Sequence, residues 1–297
     1  KNKYHMKKII LFLIIASLIL AGFAGCSGDK GKTLTLEDLK DITVVSRESG
    51  SGTRGAFVEL TGVEVKNADG TKVDQTTQEA VIANKTDVVL QQISGNQSAI
   101  GYISAGSLND TVKALQIDGV DPTAANIAAG KYALARPFFI AVKDTNNAVA
   151  NDFIDFILSA EGQEVVSKSY IAIKSDAAKF VSKMPEGKIV VAGSSSVTPL
   201  MEKLKEAYEK VNPKVTIEIQ QSDSTAGITA VVEGTCNIGM ASRALKDTEL
   251  AKGITPTEIA KDGIAVIVNT KNPLKSVTKD QLAGIYKGEV KTWTELK

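Results

Sequence analysis

Four short strand-like runs in this chain end in small, hydroxyl-bearing or basic residues, and three of them lead directly into a helical pattern. Ile42-Thr43-Val44-Val45 runs into Ser46-Arg47-Glu48-Ser49-Gly50-Ser51-Gly52-Thr53-Arg54-Gly55, with Ala56-Phe57-Val58-Glu59-Leu60 reading as the helix beyond. Lys188 to Ala192 runs into Gly193-Ser194-Ser195-Ser196, ahead of a helix over Pro199 to Val211. Val215 to Ile219 runs into Ser222-Asp223-Ser224-Thr225-Ala226-Gly227 and a helix over Ile228 to Glu233, and Asn237 to Ala241 stops at Ser242-Arg243. A strand, a small-residue loop and a helix aim backbone N–H groups at one point, which suits an anion. In open α/β sheets, ligands sit beyond the carboxyl ends of strands, so four such ends are candidate walls of one pocket. Taken singly, each loop is a capped helix start. Two from each of two chain segments exceed what capping requires.

The first loop carries the most chemistry. Gly50 and Gly52 allow close backbone approach, Ser51 and Thr53 add hydroxyls, and Arg47 offers a planar fork suited to carboxylate or phosphate oxygens. A nucleotide-hydrolysing P-loop would end in Gly-Lys-Ser/Thr, which this loop lacks. The only histidine is His5, so the chain beyond it has no Ser-His or Cys-His nucleophile pair and no histidine metal site. A hydrolase built on Ser194 to Ser196 would need Lys188 or Lys203 as its base.

The chain has 297 residues, enough for one large domain or two smaller ones, with 43% hydrophobic but only 5% aromatic residues. That balance suits buried parallel strands under helices and an α/β fold. Residues 1–25 read as a signal peptide: Lys7-Lys8 after Met6, an apolar Ile9 to Leu20, then small residues up to Cys26, with Lys1 to His5 ahead of the start. Without that segment, 31 basic residues face 34 acidic ones, a net charge of −3, so nothing draws nucleic acid. Phe23-Ala24-Gly25-Cys26 resembles a bacterial lipobox, which implies cleavage before Cys26 and lipidation of its thiol. Cys236 is the other cysteine, and no disulfide within the processed chain is expected. Residues 26–37 read as a tether.

Further along, helices are expected over Gln78 to Gln92 and Asn151 to Tyr170. Strands are expected over Ala99 to Ile103, Val112 to Val120, Arg136 to Val142 and Gly263 to Asn269. Lys174 to Gly187 reads as a linker with a little helix. Asp280 to Lys287 reads as a helix, and Thr292 to Leu296 as an end without a terminal element.

Ala192-Gly193-Ser194-Ser195-Ser196-Val197-Thr198-Pro199 resembles the first phosphate-contacting loop of the phosphate-binding lipoproteins that serve ABC-type phosphate importers. Ser224 matches that family's second loop, and Arg47 with Ser51-Gly52-Thr53 matches its Arg-x-x-x-Ser-Gly-Thr loop. With Ile238 to Arg243 and Tyr286-Lys287-Gly288…Thr292-Trp293, the likeness covers nearly all of residues 41–173 and 188–297. It implies a type II periplasmic-binding fold of two α/β lobes that clamp phosphate without any cofactor. The implied ligands are Ser195, Ser196, Ser224, Ser242, Arg47, Ser51, Gly52 and Thr53. Some family members carry an aspartate at the position of Ser242; serine there moves selectivity against sulfate elsewhere, with Asp223 as a nearby acceptor or a helix cap. The implied partners are inorganic phosphate and an ABC-type phosphate permease in the membrane, which the chain would reach through its lipid anchor. A binding module for another oxyanion, such as sulfate or molybdate, or a non-transport module for a signalling partner, is the alternative.

In the family the segment like 188–297 precedes the segment like 41–173. Here they are exchanged, as in a circular permutation or an excerpt of tandem copies. Thr33 to Lys40 also resembles Thr292 to Lys297, as if a joint were duplicated. The family pattern then draws one lobe from 38–133 and 265–297, and the other from 134–264 with 174–187 joining its ends. Breaking a lobe at a loop costs closure entropy that grows slowly with length. Separated halves can also pair with a neighbouring chain, so the resemblance allows a swapped dimer.

Overall fold

The computed structural model describes residues 33–143 and 146–297, so Cys26 and the segment before it lie outside the described residues. Thr35 caps helix α1 (Leu36–Leu39), followed by β1 (Thr43–Arg47) and α2 (Gly52–Thr61). The polar excursion from Gly62 to Thr76 is a hairpin of β2 (Glu64–Lys66) and β3 (Lys72–Asp74). The stretch read as one helix from Gln78 divides into β4 (Val81–Ala83) and α3 (Thr86–Gly95). Val81 and Ile82 are exposed at the outer edge of the sheet, where β-branched residues favour extended chain although they mimic a helical stripe in sequence.

β5 (Ala99–Ser104) is fully buried, and the single strand expected over Val112 to Val120 is broken at Leu115 and by a turn at Asp118-Gly119 into β6 (Val112–Ala114) and β7 (Gln116–Ile117). α4 (Ala124–Ala128) leads to β8 (Ala135–Val142). The long helix expected from Asn151 is two: α5 (Ala148–Ile157) and α6 (Ala160–Ser167). Ser159 caps the second by accepting from the Gly162 amide, which supplies a helix start where one continuous helix was expected.

Residues 174–186 contain no helix, contrary to the expected short one, and they are fastened rather than loose. Buried Asp152 accepts from the Lys183 amide at 2.8 Å, the Ser182 hydroxyl at 2.7 Å and the Tyr208 hydroxyl at 2.8 Å. Phe180 stacks edge-on against Phe156. Beyond this strap run β9 (Gly187–Ser194), α7 (Thr198–Val211), β10 (Val215–Ser222), α8 (Ser224–Glu233), β11 (Ile238–Ala241) and α9 (Asp247–Leu250). β12 (Thr255–Asn269), β13 (Ser276–Val277) and α10 (Lys279–Lys287) follow. Trp293–Leu296 then forms a 3-10 turn where no element was expected.

The main sheet has the order β10-β9-β11-β8-β12-β5-β1-β4, with β6 also on β12. β12 is the strand that makes two halves into one path: Thr255 to Gly263 pairs antiparallel with β8, and Ile264 to Val268 pairs antiparallel with β5. One apolar core lies around Phe153, Leu200, Tyr208 and Ile238, and another around Val45, Val89, Ile93 and Ala265. Two α/β lobes therefore share crossing strands, and the parallel strands β9, β11 and β1 deliver their loops to the junction between them.

At that crossing, Arg136 on β8 donates to Asp262 on β12 through Nη2 at 3.0 Å and Nε at 3.2 Å. Burial lowers the Arg136 pKa and raises that of Asp262, while each charge pulls its partner back. Asp262→Ala would strand a buried guanidinium, and urea unfolding should report a loss of about 3–5 kcal/mol. A loss below about 1 kcal/mol would mean that the pair is not holding the crossing together.

Candidate functional site

Each wall of the junction is built by local chain chemistry. Helix α2 begins earlier than its apolar pattern suggests: Ser51 is its N-cap and accepts from the Arg54 amide at 3.3 Å, so Gly52 and Thr53 lie in the first turn. Gly52 has to be glycine, because a Cβ there would lie 2.2 Å from Ser224 Oγ and 2.8 Å from Ser242 Oγ. Gly193, next to last in β9, has φ +132, and a Cβ on it would lie 2.4 Å from the Met240 carbonyl oxygen. That clearance lets β9 and β11 bring Ser195, Ser196 and Ser242 side by side. Asp223 spends one carboxylate oxygen, Oδ1, as the N-cap of α8, accepting from Ala226 N at 2.8 Å.

All eight residues expected at the site gather here within one chain, so no swapped partner is needed to assemble it. Arg47 Nη2 donates to Ser195 Oγ at 3.0 Å, and Thr53 Oγ1 lies 2.7 Å from Ser196 Oγ. Ser242 Oγ is 3.5 Å from Thr53 Oγ1 and 3.4 Å from Ser224 Oγ, and its amide donates to Ser224 Oγ at 3.1 Å. Ser51, Gly52, Thr53, Ser195, Ser196, Ser224, Ser242 and Arg47 are all buried. At the rim, the Thr225 amide donates to the Gly50 carbonyl at 3.2 Å.

One donor in this cluster stands apart. Arg47 is 1% exposed, and its Nη1 has no hydrogen-bond partner among the described residues. Its other nitrogens are committed: Nε donates to Glu48 Oε2 at 2.8 Å, and Nη2 to Glu48 Oε1 at 2.7 Å as well as to Ser195. A buried charged donor left without a partner costs free energy, so this position is built to meet an acceptor.

Several contributors were not legible in the sequence. Tyr102 accepts from the Arg47 amide at 3.2 Å and shares a hydrogen bond with Ser46 Oγ at 2.9 Å; burial raises its pKa, so it remains a phenol. Arg54 Nη1 donates to the Arg47 carbonyl at 2.7 Å and its Nε to Asp74 at 2.7 Å, tying the β2–β3 hairpin to the loop. Arg136 Nη1 donates to the Ser242 carbonyl at 3.1 Å. Thr86, at the start of α3, puts Oγ1 3.3 Å from Ser195 Oγ. Its signal was the run Lys85-Thr86-Asp87, a helix start absorbed into a longer expected helix.

The lysines available to a serine hydrolase are engaged elsewhere. Lys188 pairs with Glu218, and Lys203 donates to Ser169 Oγ at 3.1 Å. Among the described residues, no group of three or more potential metal ligands is found, and no helix is long and apolar enough to cross a membrane.

Comparison with known proteins agrees with this geometry. The model of the PBP superfamily domain matches residues 24–161 and 181–297. A phosphate-binding protein PstS 2 of Streptococcus agalactiae serotype V is 48% identical over 291 residues, covering 97% of this chain and 98% of the relative. The PstS 2 of Streptococcus pneumoniae serotype 4 is 46% identical, covering 96% and 98%. The chain belongs to this family of phosphate-binding proteins. The crystal structure of a phosphate ABC transporter, phosphate-binding protein from Streptococcus pneumoniae TIGR4 superposes with a TM-score of 0.68 at 48% identity, covering 86% of this chain and 100% of that one. Alignment along nearly the full length of both PstS 2 relatives means that they carry their segments in the same order as this family member.

Beside the cluster, Arg243 forms a two-pronged pair with Glu249 at 2.7 and 2.8 Å and reaches Thr225 Oγ1 at 3.2 Å. Burial pushes the Glu249 pKa up, but the Arg243 fork and the Lys246 amide outweigh it and hold the carboxyl below its ordinary range. A depressed folded-state pKa gives stability that is present above the unfolded pKa and lost as pH falls through the folded one. Unfolding free energy should therefore drop as pH is lowered below 4.5, and Glu249→Gln should flatten that part of the slope, read by urea titration from pH 6 to about 3.

Proposed function

We propose that this protein is the extracytoplasmic receptor that captures inorganic phosphate and hands it to an ABC-type phosphate permease. Cys26 would carry the lipid that anchors it to the membrane. The phosphate would sit between the lobes, contacted by Arg47, Ser51, Gly52 and Thr53 from one side and by Ser195, Ser196, Ser224 and Ser242 from the other. The observation that carries this reading is the buried Arg47 Nη1, without a partner among the described residues and framed by hydroxyls from both segments. A tetrahedral anion supplies the missing acceptor and can take hydroxyl donors on its remaining oxygens.

In this reading the lobes are 38–133 with 265–297 and 134–264, and they open to admit the anion. Closure is favoured because only the closed form offers donors from both sides at once. The exchanged segment order remains a proposed permutation relative to other phosphate-binding lipoproteins.

Glu48 is engaged with Arg47 and Asp223 with its helix, so the anion would meet chiefly hydroxyls, which can accept a proton as well as donate one. Selectivity is therefore tested by titrating phosphate, sulfate and molybdate in parallel. In calorimetry, Arg47→Ala should weaken phosphate binding by about 1.5–3 kcal/mol, as expected for a charge-assisted hydrogen bond. Unchanged affinity in a folded Arg47→Ala protein would remove the arginine from the site. Tighter binding of sulfate than of phosphate by the unaltered protein would reassign the ligand.

A further inference from the structure

Ser195 is a crowded hydroxyl. Arg47 Nη2 can only donate to it, at 3.0 Å, so one lone pair of Ser195 Oγ is occupied. The other close group is Thr86 Oγ1 at 3.3 Å, with Thr86 3% exposed and Ser195 2% exposed. If Ser195 donated to Thr86, its single proton would be used up and it would face a bound anion with oxygen only. If Thr86 donates to Ser195, both lone pairs are filled and the Ser195 proton is free to point at the anion. Thr86 is the first residue of α3, a ten-residue helix. The positive end of that helix favours keeping the Thr86 lone pairs toward its amides and the proton outward, onto Ser195.

The element also lies where a ligand is called for. Arg47 carries its partnerless Nη1 on the same guanidinium whose Nη2 rests on Ser195. On the side of Ser195 away from Arg47, a cavity of about 230 Å³ is lined by Thr86, Asp87, Asn109, Ser195, Thr198 and Gln221 among others, so Thr86 and Ser195 stand at its wall. We propose that Thr86 is a positioning residue for anion binding: its hydroxyl fixes the hydrogen-bond direction of Ser195, so that Ser195 donates to the phosphate. This rests on the phosphate reading above. It adds the β4–α3 connection to a site otherwise built from the strand-end loops.

The test is calorimetric titration of the full chain with inorganic phosphate. Thr86→Val keeps the shape and removes the hydroxyl, and should weaken binding about tenfold, whereas Thr86→Ser should stay within about twofold of the original. On a Ser195→Ala background, Thr86→Val should change affinity by less than about twofold, because its effect passes through Ser195. Melting temperatures without phosphate should be alike across the set, and if Thr86→Val folds poorly, Thr86→Ala against Thr86→Ser makes the same comparison. Wild-type affinity in Thr86→Val, or losses that multiply fully in the double variant, would overturn the proposal while leaving the receptor reading intact. Absence of phosphate binding by the unaltered protein would overturn the receptor reading itself.

Discussion

The structure turns on one guanidinium. Arg47 leaves the end of β1 with two of its nitrogens on Glu48 and one of those also on Ser195, across the line between the two chain segments. Everything around it keeps that fork still. Tyr102 receives its amide, Arg54 donates to its carbonyl, and beneath them Phe57 stacks on Tyr102 at 4.0 Å while Tyr286 packs edge-on and donates to the Val45 carbonyl. A fork pinned on three sides loses little freedom when the fourth meets an acceptor, and this pre-organisation makes one buried charge effective.

The strand-to-loop units were legible because their chemistry is local. β-branched residues, glycines and hydroxyls follow one another within ten positions, and that order is enough to place Arg47, Thr53, Ser195, Ser196, Ser224 and Ser242 at strand ends. What brings them together is not local. The first nine residues of β12 were hidden by Thr255-Pro256-Thr257-Glu258, a polar start with a proline, which is tolerated because Thr255 and Pro256 are exposed and this part of the strand pairs with β8 on one side. Without that half of β12 the crossing of the lobes, and the Arg136–Asp262 pair within it, could not be read. Thr86 was obscured because a three-residue edge strand and a helix start share the apolar spacing of a single helix.

The contacts of the last residues tie them to the chain just ahead of β1. Ile42 donates its amide to the Lys291 carbonyl, Trp293 donates to the Lys40 carbonyl, and Lys297 pairs with Glu37. Thr35 and Thr292, one in each of the two similar stretches, each form a capping box. The similar stretches thus lie against one another in the same lobe, and the strap at 174–186 is anchored through Asp152 in the other.

A crystal structure of the protein grown with phosphate measures the central claim most directly. The account predicts one tetrahedral anion between the lobes, within hydrogen-bond distance of Arg47 Nη1 and of hydroxyls from both segments, Thr53 on one side and Ser195 or Ser196 on the other. An anion bound only at the surface, or a closed junction in which Arg47 Nη1 meets a protein acceptor instead, would contradict it.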